Sequence, residues 1–334
     1  MRSCEEVIQR NICSRCGSCI AVCPSGALSW RDEEVIFDRS KCIECGLCLK
    51  VCPFVNPNEI PLAKPMAYLS ARTRIPEVAE QCQDGGVVTT LLIRALESGM
   101  VDEVLATASC NNVLFPVPII ARSHKELLKT CGSKYAYSPV LSLLRSISRG
   151  ERIAIVGLPC QITALRLMEK LRLKATENVR LAIGLFCFQN YTLRTLADIG
   201  LRELLDVRAD EVKKLSIRGG KIIAWTVNND RKEAPIAPLD AHALPACKVC
   251  QDFVASLADI SVGSTGSPEG WSTVIIWNEK GEEAFRDALE AGYLRSRPLG
   301  EEGIKRINRL RRIKARRALK YIQDNPELRA LRVR

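Results

Sequence analysis

Two runs of cysteine carry the most specific chemistry in the chain. Residues 13–24 read CSRCGSCIAVCP and residues 42–53 read CIECGLCLKVCP. The second lies 29 positions after the first and matches it at seven of twelve places, an internal repeat of one short unit. Each run is C-x₂-C-x₂-C-x₃-C-P, which offers three soft thiolates in one tight loop. In two-cluster ferredoxins the fourth cysteine reaches across to the partner cluster. The pattern therefore assigns one [4Fe–4S] cube to Cys13, Cys16, Cys19 and Cys52, and a second to Cys42, Cys45, Cys48 and Cys23. Gly17 and Gly46 suit loops whose N–H groups point at sulfide. Structural zinc prefers paired C-x₂-C knuckles, not triplets each followed by Cys-Pro.

Four further cysteines are less legible. Cys160 sits at a strand-to-helix turn, where a helix N-terminus stabilises thiolate. Cys187 ends a buried strand and by itself reads first as an inert core thiol. Cys247 and Cys250 form a lone C-x₂-C, half a metal site by spacing alone. Cys4, Cys82, Cys110 and Cys131 follow no spacing pattern, and structural roles are their default. With only two histidines, His124 and His242, neither Cys₂His₂ fingers nor a histidine general base is favoured.

The elements that must position these thiols belong to a mixed α/β chain. At 334 residues it has room for about two domains. An N-terminal two-[4Fe–4S] ferredoxin domain is expected over 1–60, with ALSWRDEEVIF forming a small hairpin between the runs. Asn56-Pro57-Asn58, Pro61 and Pro65 mark a boundary near 57–66. An α/β domain follows over 67–300. DGGVVTTLLIRALESG reads as a helix, and VDEVLATASC and FPVPIIA as strands. HKELLKTCGSKYAYSPVLSLLRSISRG reads as helix, loop, helix. RIAIVGLPCQITALRLMEKL reads as strand, turn and a helix ending near Lys174, and RLAIGLFCF as another buried strand. This alternation indicates a substantially parallel sheet. KLSIRGGKIIAWTV is a hairpin around Gly219-Gly220, flanked by Arg218 and Lys221, and DISVG and STVIIWN are further strands.

Charge is segregated. Of the net +11, residues 305–334 contribute +10 and residues 1–60 contribute −1. Residues 301–334 read as a basic C-terminal helix with Ile307, Leu310, Ile313 and Leu319 on its buried stripe. Its cationic face reads as a solvated cap, or as a surface for an anionic cofactor, an acidic partner or a membrane. Aromatics at 5% and the absence of a binding motif argue against nucleic acid. The N-terminal sequence has no apolar export signal, and no stretch is long enough to span a membrane. A cytoplasmic chain, free or peripheral on the cytoplasmic side of a membrane, is expected.

QDGGVVTTLL, GSKYAYSP, IVGLPCQITALR, GLFCF, CKVCQDF before ADISVG, and EGWSTVIIWNEKGEE occur in that order. Together they resemble the beta subunit family of coenzyme F420 hydrogenases and dehydrogenases, over roughly residues 67–300. With a ferredoxin module in front, the layout is most similar to the input subunit of F420H2 dehydrogenase complexes. The resemblance implies coenzyme F420 as substrate, an FAD, and a third [4Fe–4S] cluster on Cys160, Cys187, Cys247 and Cys250. It also implies other redox subunits as partners, with FAD converting two-electron hydride exchange into single-electron steps. No G-x-G-x-x-G follows a strand, so no Rossmann fingerprint supports the flavin. The expected flavin contacts are Gly85, Gly86, Thr89 and Thr90 at a helix start, Ser133, Lys134 and Tyr135 in a loop, and Gly157 and Pro159 beside Cys160. ISVGSTGSPEGWSTV reads equally as a turn or a pocket lining. A related enzyme using ferredoxin or another donor, and a flavin-free polyferredoxin-like relay, are the alternatives.

Overall fold

Runs of Val, Ile, Leu and Ala with no polar alternation demand burial on both faces, and they form the middle of an eight-stranded sheet. The computed structural model describes residues 3–110, 114–148 and 150–331. Its strands are β1 (Leu28–Arg31), β2 (Glu34–Phe37), β3 (Ala67–Thr73), β4 (Glu103–Ser109), β5 (Pro116–Ala121), β6 (Ile153–Gly157) and β7 (Val179–Leu185). They continue with β8 (Val212–Arg218), β9 (Lys221–Thr226), β10 (Arg231–Pro235), β11 (Ile260–Gly263), β12 (Ser272–Ile276) and β13 (Leu294–Pro298).

The main sheet runs β13-β3-β12-β11-β7-β6-β4-β5. The β11-β7-β6-β4 centre is parallel, and the flanks β12, β3, β13 and β5 pair antiparallel. One face packs on helices Val87–Glu97 and Glu279–Glu290, burying Leu91, Leu92, Ala284 and Phe285. The other packs on helix Pro159–Lys170 and the 3₁₀ turn Val140–Ser146, burying Leu141, Ile162, Leu165 and Trp277. A separate three-stranded sheet, β10-β9-β8, closes over a π-helical segment, Leu196–Glu203, around Leu201, Ile222 and Leu239.

The N-terminal hairpin is β1-β2, paired Leu28 to Phe37 through Arg31 to Glu34. The module holding it is not free-standing in its packing. Cys16 and Val51 share a core with Val140, Leu141 and Leu144.

Three expectations need correction. The helix after Cys160 stops at Lys170, because Arg172 takes a left-handed φ of 52°. The element after Tyr137 is a 3₁₀ turn, not an α-helix, and starts behind Pro139. The C-terminal helix, Glu301–Asp324, buries Gly303, Ile307, Lys314, Ala318 and Ile322. Ile313 and Leu319 are instead 43% and 48% exposed, so the buried stripe passes through a lysine where an isoleucine was expected.

Candidate metal centres

The two N-terminal motifs each place a glycine in a left-handed conformation immediately before a short helix, Gly17 before Ser18–Val22 and Gly46 before Leu47–Lys50. These two helices pack together. Cys13, Cys16, Cys19 and Cys52 line one pocket, with Cys4 and Cys48 also on its wall. Burial pushes the Cys13 and Cys52 thiols up to about 12, and neighbouring Cys16 adds to both. Backbone N–H groups nevertheless aim at the sulfurs: Arg15 N donates to Cys13 Sγ at 3.3 Å, and Phe54 and Val55 donate to Cys52. Crowded sulfurs with donors directed at them fit a bound anionic sulfide core. Cys23, Cys42 and Cys45 lie outside this pocket. Ser25, Gly26 and Ala27 hydrogen bonds draw the Cys23 thiol down against its burial. Cys45 is exposed.

The third set comes from three separate places. Cys160 is in the first turn of its helix, Cys187 follows β7, and Cys247 and Cys250 flank the end of a short helix, Pro245–Val249. They are neighbours. Burial pushes the Cys160 thiol well up, reinforced by Cys250, Cys16, Cys187 and Cys247. Burial pushes Cys187 up to about 12, with Cys247 and Cys250 contributing and Lys314 opposing. The helix N-terminus beside Cys160 does not outweigh that desolvation. Tyr137 Oη lies 2.8 Å from Cys247 Sγ, and Asn190 N donates to the same sulfur at 3.3 Å.

Among the described residues, no three His, Cys, Asp or Glu side chains converge tightly enough for a single ion. A cubane differs from one ion because its own iron and sulfide hold the thiolates apart. Two buried guanidinium nitrogens, Arg15 Nη1 and Arg317 Nε, lack an acceptor. Arg15 lies over the Tyr137 ring and Arg317 donates to Cys247 O, so both orphans border these sulfurs. An unmet buried donor costs about 1–3 kcal/mol, and an anionic core beside it fits that need.

The first and third sets abut. Leu141 N donates to Cys16 O at 3.3 Å, and a Cβ on Gly17 would lie 2.7 Å from Pro139 O and Ser142 N. Only glycine permits that docking.

The expected flavin contacts are mostly engaged by the protein itself. Gly85 is pressed between strands, with a Cβ there meeting Ala71 O and Ser272 N at 2.5 Å. Thr90 Oγ1 bonds Thr73 Oγ1 and Gly86 O, and Thr89 accepts from Cys131 Sγ. Lys134 Nζ donates to the carbonyls of Thr130, Cys131 and Gly132, so its cation pins the loop and is not offered to a phosphate. Tyr135 Oη accepts from Ile217 N, while Ser133 is exposed. Gly157 and Pro159 bracket the entry to the Cys160 helix. Arg218 pairs with Asp84 beside Gly85 and reaches Glu269, so the Gly85 turn, the β8-β9 hairpin and the loop before Trp271 converge. Lys221 pairs with Glu233 instead. The Val87–Glu97 helix has no side-chain cap, which leaves its first-turn N–H groups as the donors suited to a pyrophosphate.

Lys314, Arg317, Tyr137 and Asn190 escaped sequence reasoning. Tyr137 stands in the GSKYAYSP motif without a role of its own, and Lys314 reads as one cation within a basic run.

The chain is similar to known iron–sulfur and coenzyme F420 proteins. Residues 12–56 match the 4Fe-4S dicluster domain. Residues 68–145 and 150–302 match the N-terminal and C-terminal models of the coenzyme F420 hydrogenase/dehydrogenase beta subunit. The coenzyme F420 hydrogenase subunit beta of Methanosarcina barkeri is 31% identical over 79% of this chain and 93% of its own length. An F(420)H(2) dehydrogenase subunit of Methanosarcina mazei is 30% identical over 85% of both. A coenzyme F420-dependent sulfite reductase of Methanocaldococcus jannaschii is 32% identical over 96% of this chain, which spans about half (52%) of that enzyme. Among solved structures, a chain of the F420-reducing [NiFe] hydrogenase complex from Methanosarcina barkeri superposes with a TM-score of 0.75 at 30% identity, covering 79% of this chain and 93% of that one. With matched models spanning most of its length behind an iron–sulfur module, the chain belongs to the coenzyme F420 hydrogenase/dehydrogenase beta subunit family.

Proposed function

We propose that the chain is an F420-linked oxidoreductase subunit that exchanges hydride between coenzyme F420 and FAD and passes single electrons to partner redox subunits. Three [4Fe–4S] clusters, on the sets built around Cys16, Cys45 and Cys160, complete the reading. The observation that carries it is the contact between the first and third cysteine sets, where Cys16 neighbours Cys160 and its loop is seated on Pro139–Ser142. When bound, FAD supplies the conversion between paired and single electrons, and the clusters supply one-electron carriage. The residues do the rest. Tyr137 and Asn190 direct hydrogen bonds at Cys247, Lys314 and Arg317 close one side of the third set, and the Gly17 docking holds the first set against it. Cys16 and Cys247 are buried, and Cys160, Cys187 and Cys250 are part-exposed.

Anaerobic purification followed by iron and flavin analysis, then rapid mixing with F420H2, tests this. About twelve irons, one FAD and a bleached flavin are expected. A flavin that stays oxidised with F420H2 but responds to reduced ferredoxin would transfer the chain to the ferredoxin-driven alternative. The internal engagement of Thr90, Lys134 and Tyr135 favours a second reading, a flavin-free relay. Iron without flavin in the purified protein would select it. Among the described residues no helix is long and apolar enough to cross a membrane.

A further inference from the structure

The basic C-terminal helix carries its one buried cation inward. Lys314 is 1% exposed, in the middle of the stripe formed by Ile307, Ala318 and Ile322. Its ammonium donates to Cys187 O at 2.6 Å and to Asp252 O at 2.7 Å, bridging the two segments that deliver Cys187 and Cys250. Among the described residues it forms no ion pair with a carboxylate. The Asp252 carboxylate is occupied by Val254 N, Ser256 N and Ser256 Oγ. An unpaired ammonium taken out of water costs several kcal/mol. A helix with eleven other Lys/Arg in its segment, residues 305–334, has no need to bury one. The nearby sulfurs of Cys250, Cys187 and Cys247 are placed to offset it, with a smaller share from the Asp252 carboxylate.

Four thiolates around an iron–sulfur core carry net negative charge, and each reduction adds one more. We propose that Lys314 is the counter-cation of the third cluster, a positioning residue that joins the Cys187 and Cys250 segments and raises that cluster's reduction potential. This rests on the reading that Cys160, Cys187, Cys247 and Cys250 hold a cluster. Arg317, one turn further on, supports the same wall through Gln189, Phe188 O and Cys247 O, and its guanidinium lies 4.6 Å from the Phe188 ring centroid. A helix that reads from sequence as a solvated cap thus supplies the charge shell of a redox centre.

The test is a mediated redox titration, followed by electron paramagnetic resonance, of the full anaerobically purified chain. Cys250→Ala identifies the third-cluster signal as the one it removes. In Lys314→Met that signal is expected to titrate at a potential about 59 mV lower, a tenfold loss in the one-electron reduction constant. Lys314→Arg is expected to stay near the wild type, and the other two signals are expected not to move. An unmoved third signal in Lys314→Met, or an equal fall in Lys314→Arg, overturns the proposal. If Lys314→Met loses iron, Lys314→Gln replaces it as a neutral donor, and a wild-type potential there overturns the proposal equally. Should wild type hold about eight irons and Cys250→Ala remove no signal, the third cluster itself fails, a different outcome from an unmoved potential.

Discussion

At the scale of single residues, the sulfurs carry both the assignment and its most direct tests. Cys250→Ala removes one of four ligands from the third set while leaving both N-terminal motifs untouched. Iron analysis is expected to fall from about twelve to about eight per chain. An unchanged count would show that Cys250 is not needed to hold iron. A pH effect follows from the burial of the thiols. Cys13, Cys52 and Cys187 are pushed up to about 12 in the folded chain, against an ordinary value of 9.0. Above pH 9 the unfolded chain therefore releases protons that the folded apoprotein retains. That stabilisation is complete below 9 and is lost as pH rises through 12. The iron-free chain is expected to melt at a lower temperature at pH 10 than at pH 8. Iron-bound sulfurs have already lost their protons, so the loaded chain is expected to show a smaller drop. Equal pH sensitivity of the two forms in thermal unfolding would contradict ligation at these sites.

Elements decide how the sulfurs meet. Gly17 has φ 87° and lies against the backbone of Pro139 and Ser142, so Gly17→Ala meets both backbone strain and a collision. Strain alone costs of order 1–3 kcal/mol, and the first set should also be pushed away from the third. Lower thermal stability together with slower reduction of the N-terminal clusters is the expected pair, and a variant stable and fast as wild type would deny the docking its importance. Ile307 anchors the C-terminal helix from a fully buried position, and Ile307→Ala should cost about 2–5 kcal/mol in chemical denaturation. What the sequence disclosed divides along the same line. The ligand runs, the β1-β2 and β8-β9 hairpins and the strands β6 and β7 were legible because their signals are local: spacing, paired glycines, and continuous apolar runs. Convergence of Cys160, Cys187, Cys247 and Cys250 was not, since no local spacing relates positions up to 90 residues apart. It entered only through family resemblance. The antiparallel flanks β3 and β13 were missed for a similar reason. AYLSART and LRSRP become strands because neighbours offer hydrogen bonds, not because their own pattern demands it. Lys314 shows the limit most sharply, because a stripe drawn from hydrophobicity favours Ile313, while the packed helix turns the lysine inward.

Over the whole molecule, exposure sets one centre apart from the other two. Cys247 of the third set and Cys16 and Cys19 of the first are buried and the other members of both are intermediate, whereas in the second set Cys45 is exposed beside Ile43, itself 65% exposed. Single electrons tunnel between centres that are close, and they leave a protein where a centre approaches the surface. On the proposed reading, the second set is the exit towards a partner subunit, and the third is the end that faces two-electron chemistry. Cys45→Ala separates these ends. Removing a ligand of the outermost cluster leaves Cys13, Cys16, Cys19, Cys52 and the third set complete. Stopped-flow reduction of the internal centres by F420H2 should keep nearly its wild-type rate in this variant. Steady-state delivery to a one-electron protein acceptor should fall by tenfold or more, about 1.4 kcal/mol in effective barrier. A uniform slowing of both steps would mean that the exposed cluster is not terminal. Delivery at the wild-type rate would move the exit to another face, for which the cationic side of the Glu301–Asp324 helix is a candidate.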